Sequence, residues 1–196
     1  MAEGLLLILS GPSGVGKGTV CRALLAQLPR LKLSVSVTTR RPRPGEEEGR
    51  EYHFISPSRF QELIEAEAFL EWAMVHGQYY GTLKSKVRSA LAGGFDLLLE
   101  IDVQGAAQVK RQWDDAVTIF MAPPSMEALK ERIAGRGTES EAEIRRRLEV
   151  ARREMAAYHA YDYLVINDRV ETAAAAIAAI VTAEKCKVSR GACPNF

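Results

Sequence analysis

Residues 5–9 read Leu-Leu-Leu-Ile-Leu and run, through Ser10, into Gly11-Pro12-Ser13-Gly14-Val15-Gly16-Lys17-Gly18-Thr19. Five consecutive apolar residues predict a strand buried on both faces, as in a parallel sheet covered by helices. The glycines allow a tight loop whose backbone N–H groups turn inward around an anion. A helical pattern begins at Lys17 and stops at Pro29. Strand, glycine-rich loop, lysine and helix in that order are the context of a phosphate-binding loop. The helix N-terminus contributes its positive dipole end, and Lys17 a full charge for the β- and γ-phosphates of a nucleoside triphosphate. Gly18 stands where the strict pattern has a hydroxyl, and Thr19 follows it. Magnesium is therefore expected to be held by the oxygens of the triphosphate and by water.

Further apolar runs at 95–101, 117–121 and 163–166 predict more buried strands, and residues 34–38 (SVSVT) alternate as a weaker one. Helical patterns lie between them. Residues 58–70 follow Pro57 at a first-turn position, Ser125 can cap 126–133, and Ser140 with Glu143 forms a capping box for a helix reaching about residue 158. Residues 172–183 are alanine-rich and helix-forming. Strands alternating with helices predict an α/β fold of three layers, a parallel sheet flanked by helices. Two polar stretches, about 36–92 and 125–156, fit the alternation poorly and read as insertions on a core of about 1–35, 93–124 and 157–188. Residues 189–196 form a tail. Insertions at strand ends are natural carriers of substrate loops.

The chain has 196 residues, one domain's worth, and a formal net charge of +1. That charge argues against a nucleic-acid partner. No stretch is long enough to cross a membrane. Three cysteines, Cys21, Cys186 and Cys193, make no CxxC pair, so a reducing, cytoplasmic setting is expected and a zinc site is not. His53, His76 and His159 show no metal spacing either.

The first insertion carries Ser36-Val37-Thr38-Thr39-Arg40-Arg41-Pro42-Arg43-Pro44-Gly45-Glu46 and then Gly49-Arg50-Glu51-Tyr52-His53-Phe54. Pro42 and Pro44 stiffen the chain around Arg43, and guanidinium groups bind phosphate oxygens bidentately. Later come Phe69-Leu70-Glu71-Trp72-Ala73, Gly77-Gln78-Tyr79-Tyr80-Gly81-Thr82, Ile101-Asp102-Val103-Gln104-Gly105 and Gly135-Arg136-Gly137-Thr138-Glu139. In this order, and beside the phosphate loop, these strings resemble the guanylate kinase family over about residues 5–169.

The resemblance implies transfer of the γ-phosphoryl of ATP to GMP, with Mg2+ accompanying ATP. It makes residues 36–92 the GMP-binding insertion and 125–156 a lid. It implies that Arg40, Arg43, Tyr52 and Tyr80 hold the GMP phosphate, and that Ser36, Glu71 and Thr82 read guanine with Asp102 nearby. Chemistry supports Glu71: guanine presents N1–H and its 2-amino group side by side, and one carboxylate accepts both. Adenine has a bare acceptor at N1 and is refused. Glu100 and Asp102 share one face of a strand end, where ligands of open α/β sheets bind. One could orient magnesium-bound water and the other face GMP; Asp102 is favoured for GMP. In the lid, Arg132 and Arg136 are expected at ATP and Arg136 and Arg147 at the transferring group, while Arg145, Arg146, Arg152 and Arg153 read as surface charge. Catalysis would rest on Lys17, Arg43, Arg136 and Arg147. The rival readings are another nucleoside monophosphate kinase and a non-catalytic binding module of related sequence.

Overall fold

The computed structural model describes residues 4–75, 77–135 and 140–190. β1 (Leu6–Ser10) lies at the centre of a five-stranded parallel sheet whose other members are β2 (Leu31–Leu33), β7 (Asp96–Glu100), β8 (Val117–Ala122) and β9 (Tyr163–Ile166), in the order β2-β7-β1-β8-β9. The apolar run of β1 is buried on both sides, as its sequence requires. Leu7 and Leu9 face one core with α1 (Lys17–Gln27) and α7 (Val170–Lys185), through Val20, Leu24, Ala174 and Ile177. Leu6 and Ile8 face a second core with α3 (Lys84–Ala92) and α4 (Val103–Gln112), through Val87, Leu91, Ala106 and Val109. This is the predicted three-layer arrangement.

The region after β2 builds a second sheet. β3 (Ser36–Thr38), β4 (Tyr52–Phe54), β5 (Phe69–Val75) and β6 (Gln78–Leu83) stand in the order β4-β3-β6-β5. Its own small core joins Val37 and Phe69 to Phe60 of α2 (Pro57–Glu65), with the Phe60 and Phe69 rings stacked at 4.4 Å. α5 (Met126–Ala134) and α6 (Glu141–Met155) join the core of α1 and α7 through Leu129, Ile133, Leu148 and Ala151. The capping signals hold: Ser125 and Ser140 each accept a backbone N–H at the start of α5 and α6, Ser140 and Glu143 close a capping box, and Pro57 stands in the first turn of α2, whose cap is Ser56.

Two boundaries differ from the sequence expectation. The helix predicted over 58–70 ends at Glu65, because Glu67 adopts φ 49°, and Phe69 and Leu70 begin β5 instead. That left-handed residue closes the helix by a backbone turn from Ala68 to Leu63. The helix predicted to about 158 ends at Met155 and tightens into a 3-10 turn, Ala156–Ala160. No helix among the described residues is long and apolar enough to cross a membrane.

Candidate active site

The phosphate loop leaves β1 at Gly11 with φ 142°, and a Cβ there would stand 2.1 Å from the Met121 carbonyl oxygen, so only glycine fits. Gly16 opens α1 at φ 99° and no side chain caps the helix. The N-terminal N–H groups of α1 therefore face the site unblocked by a cap. Asn167 braces the loop from behind: its Nδ2 donates to the Val15 carbonyl at 2.8 Å. Arg132 donates from the same side to the carbonyls of Asn167 (2.9 Å), Val15 and Asp168. In this conformation the Arg132 guanidinium is a strut of the loop.

Lys17 turns its ammonium inward, donating to the carbonyl of Gly11 at 2.6 Å and more weakly to that of Pro12. Burial lowers its pKa below the ordinary ammonium value, while Glu100, Glu154 and Asp102 oppose the shift. These carboxylates and the loop border a cavity of about 600 Å3 that also takes in Tyr52. Glu100 sits at the carboxyl end of β7 against the start of α1; a Cβ on Gly18 would lie 3.5 Å from its Oε1. α6 reaches the loop with two side chains spaced by two turns. Arg147 donates to Ser13 Oγ at 2.9 Å, and Glu154 accepts the Ser13 backbone N–H at 3.3 Å. Burial raises the Glu154 carboxyl pKa, against the pull of that N–H and of Lys17.

Across the cavity the second sheet gathers the residues predicted for the acceptor. Arg40 lies over the Tyr52 ring at 5.3 Å, and the Tyr52 and Tyr80 rings meet edge-on at 5.8 Å. Glu46 grips the Arg40 guanidinium with both oxygens, at 2.9 and 3.0 Å, and accepts the Arg43 backbone N–H at 2.7 Å. That pair raises the Arg40 pKa further and lowers that of Glu46. Arg40 Nε is buried without a hydrogen-bond partner among the described residues. A buried unpaired donor is unfavourable alone and is satisfied by an incoming anion. Ser36 pairs with Tyr52 in the sheet, and Arg43 is exposed on the loop.

Glu71 lies opposite Thr82 in the β5–β6 pair, and both are buried. Burial pushes the Glu71 carboxyl up to about 7, Thr82 pulls it back, and Asp102 adds repulsion. Asp102 caps α4 through the Gly105 N–H at 2.7 Å. Gly105 separates the two acids: a Cβ there would meet Glu71 Oε2 at 3.0 Å and Asp102 Oδ1 at 3.4 Å.

Of the residues singled out in the sequence, the structure places the loop 11–19, Glu100 and Asp102 about one cavity, with Arg147 on the loop at Ser13. Arg40, Tyr52 and Tyr80 form a cluster beside it, and Glu71 with Thr82 a second. Arg136 lies outside the described residues, as do His76 and Cys193. Sequence reasoning passed over Glu46, Glu154 and Asn167. Glu46 carried a signal, an acid three residues after Arg43 in a proline-stiffened turn. Asn167 and Glu154 meet the loop from 152 and 141 positions away, and no local pattern marks them.

Comparison with known proteins follows the same line. The family model described as guanylate kinase matches residues 3–184. The guanylate kinase of Desulfitobacterium hafniense is 52% identical over 188 residues, covering 96% of this chain and 94% of that protein. That of Clostridioides difficile is 50% identical over 188 residues, covering 96% and 92%. The crystal structure of guanylate kinase from Anaplasma phagocytophilum superposes with a TM-score of 0.78 at 36% identity, over 96% of this chain and 90% of that one.

Proposed function

The chain belongs to the guanylate kinase family and phosphorylates GMP with ATP, and from that premise we propose how its residues divide the reaction. ATP lies with its phosphates in the loop 11–19, against Lys17 and the open end of α1. The GMP phosphate is held by Arg40, Arg43, Tyr52 and Tyr80, and the base by Glu71 with Ser36, Thr82 and Asp102. The observation that carries the acceptor assignment is Glu71, a buried carboxylate placed across the sheet from Thr82. A buried acid with no cation beside it among the described residues is costly to ionise, and two adjacent donors of guanine repay that cost.

The reaction asks for alignment and charge neutralisation more than for a base. The nucleophile is a phosphate oxygen whose second pKa is near ~6. Lys17, Arg43, Arg136 and Arg147 would neutralise charge as it shifts between the phosphates. Closing the second sheet and α5–α6 toward one another would exclude water, the competing acceptor. The residues present fit a magnesium ion carried in on ATP. No group of three or more His, Cys, Asp or Glu among the described residues could hold a metal by itself, and Glu100 faces Gly18, where a hydroxyl would otherwise stand. Glu100 would hold the waters of that ion, which supplies further neutralisation of the phosphates.

The test of the acceptor assignment is a coupled assay of ADP formation with GMP, AMP, CMP and UMP offered in turn. Turnover of GMP ahead of AMP by at least about a hundredfold in kcat/KM is expected. Comparable use of AMP would overturn the assignment of the base site.

A further inference from the structure

β5 is the outer strand of the second sheet, so one side of its backbone has no strand beside it. Side chains of α4 take the place of a neighbour. Gln108 Oε1 accepts the Trp72 N–H at 3.1 Å, and Gln108 Nε2 donates to the Trp72 carbonyl at 3.0 Å. Gln112 Nε2 donates to the Leu70 carbonyl at 2.6 Å. The residue between these two anchors is Glu71. A primary amide that both accepts from and donates to one residue copies the pairing of a strand, and it fixes position along the strand as well as distance from it.

The register of β5 needs such fixing. Phe69 pairs with Leu83 and Glu71 with Thr82, so Leu70 is an extra residue and the ladder is bulged there. A bulge re-aims the side chains next to it. Here it splits three successive residues among three environments. Phe69 enters the core of the second sheet, Leu70 enters the core beneath α3 and α4, and Glu71 turns to the base site. Slippage by one residue would carry Glu71 to the opposite face of the sheet.

α4 presents one stripe to this segment. Gly105, Gln108 and Gln112 are spaced i, i+3, i+7 and fall on one side of the helix. Gly105 leaves room for the Glu71 carboxylate, which a Cβ would meet at 3.0 Å, and the two glutamines clamp the backbone before and after it. Asp102 begins the same helix as its cap. One rigid element thus sets the spacing of both acids assigned to the base.

We propose that Gln108 and Gln112 are positioning residues for base specificity: from α4 they lock the bulged segment Leu70–Trp72 so that Glu71 meets both donors of guanine. The inference rests on the reading of Glu71 as the guanine acceptor.

The test compares GMP with IMP, which keeps N1–H and lacks the 2-amino group, at saturating ATP in the full chain. Gln108→Ala, Gln112→Ala and the double variant are measured alone and in a Glu71→Gln background. Each amide removed should raise the GMP KM by about fivefold, leave the ATP KM in place, and narrow the GMP-to-IMP ratio of kcat/KM. In the Glu71→Gln background the same substitutions should change the GMP KM by less than about twofold, because the group they position is already disabled. If Glu71→Gln narrows the ratio and the glutamine variants do not, the proposal is overturned and the reading of Glu71 stands. If Glu71→Gln leaves the ratio unchanged, that reading fails and the proposal with it. A loss of kcat and melting temperature at constant KM and ratio would reduce the glutamines to edge-strand supports and also overturn the proposal. Should the double variant not fold, Gln112→Ala decides alone, since Gln112 is an exposed residue whose amide donates to the Leu70 carbonyl.

Discussion

The proposed role of Glu71 is open to test through the pH dependence of GMP use. Its carboxyl is pushed up to about 7 by burial, with Asp102 adding repulsion. Only the ionised form accepts two donors, so GMP affinity should track the ionised fraction of the empty site. With a titration near 7, that fraction is about 0.9 at pH 8 and about 0.1 at pH 6. The GMP KM should therefore rise by about tenfold from pH 8 to pH 6 through Glu71 alone. The phosphate of GMP also titrates near ~6. The Glu71→Gln variant keeps the phosphate titration and removes that of residue 71, so the difference between the two profiles isolates Glu71. Initial rates at saturating ATP between about pH 5.5 and pH 8.5 suffice. A flat wild-type KM across that window, or two superimposable profiles, would refute the reasoning.

The same shift has an opposite consequence for stability. An unfolded chain titrates this group near 4.5, and the folded one near 7. The folded state therefore binds the proton more tightly, and its advantage is full below 4.5 and lost as pH rises through 7. Above that, an ionised buried Glu71 costs about 3 kcal/mol relative to the protonated site. Glu71→Gln should then melt higher than wild type at pH 8 and close to it at pH 4.5, by calorimetry in the absence of nucleotide. A lower melting point at pH 8 would show that the carboxylate finds a compensating partner. A variant impaired in GMP use is thus expected to be the more stable, an exchange common where a functional charge is buried.

Two further outcomes follow from the geometry. Lys17→Ala should lower kcat by at least about a hundredfold in the coupled assay, with folding preserved by circular dichroism, because its ammonium is turned into the loop against the Gly11 and Pro12 carbonyls, while Arg132 and Arg147 are engaged by the Val15 carbonyl and Ser13 Oγ; near-normal kcat would remove Lys17 from the chemistry. Glu46→Gln should raise the GMP KM by about three- to tenfold and leave the ATP KM in place, since the bidentate grip on Arg40 and the hold on the Arg43 N–H are both weakened. An unchanged GMP KM would show that the Arg41 carbonyl and the Tyr52 and Phe54 rings suffice to hold Arg40.

What was legible in the sequence was local. The phosphate loop declares itself because its requirements, positive-φ glycines at 11 and 16 and a lysine at the next helix start, fall within one stretch. The two-sided burial of β1 follows from five consecutive apolar residues, and the caps of α5 and α6 from serines at fixed offsets. The helix expected over 58–70 ran too long because Phe69 and Leu70 continue an apolar pattern that periodicity cannot assign to helix or strand. Only the left-handed Glu67 separates them. The supports of the site were illegible for a different reason. Asn167 on the Val15 carbonyl, Glu154 on the Ser13 N–H and Gln108 on the Trp72 backbone are contacts between side chains of ordinary surface type and a distant main chain. Neither partner carries a composition signal, because a backbone amide looks alike at every position. Groups that touch a substrate must be chemically special, and sequence marks them. Groups that hold those in place need only reach the right peptide, and the fold alone decides which peptide that is.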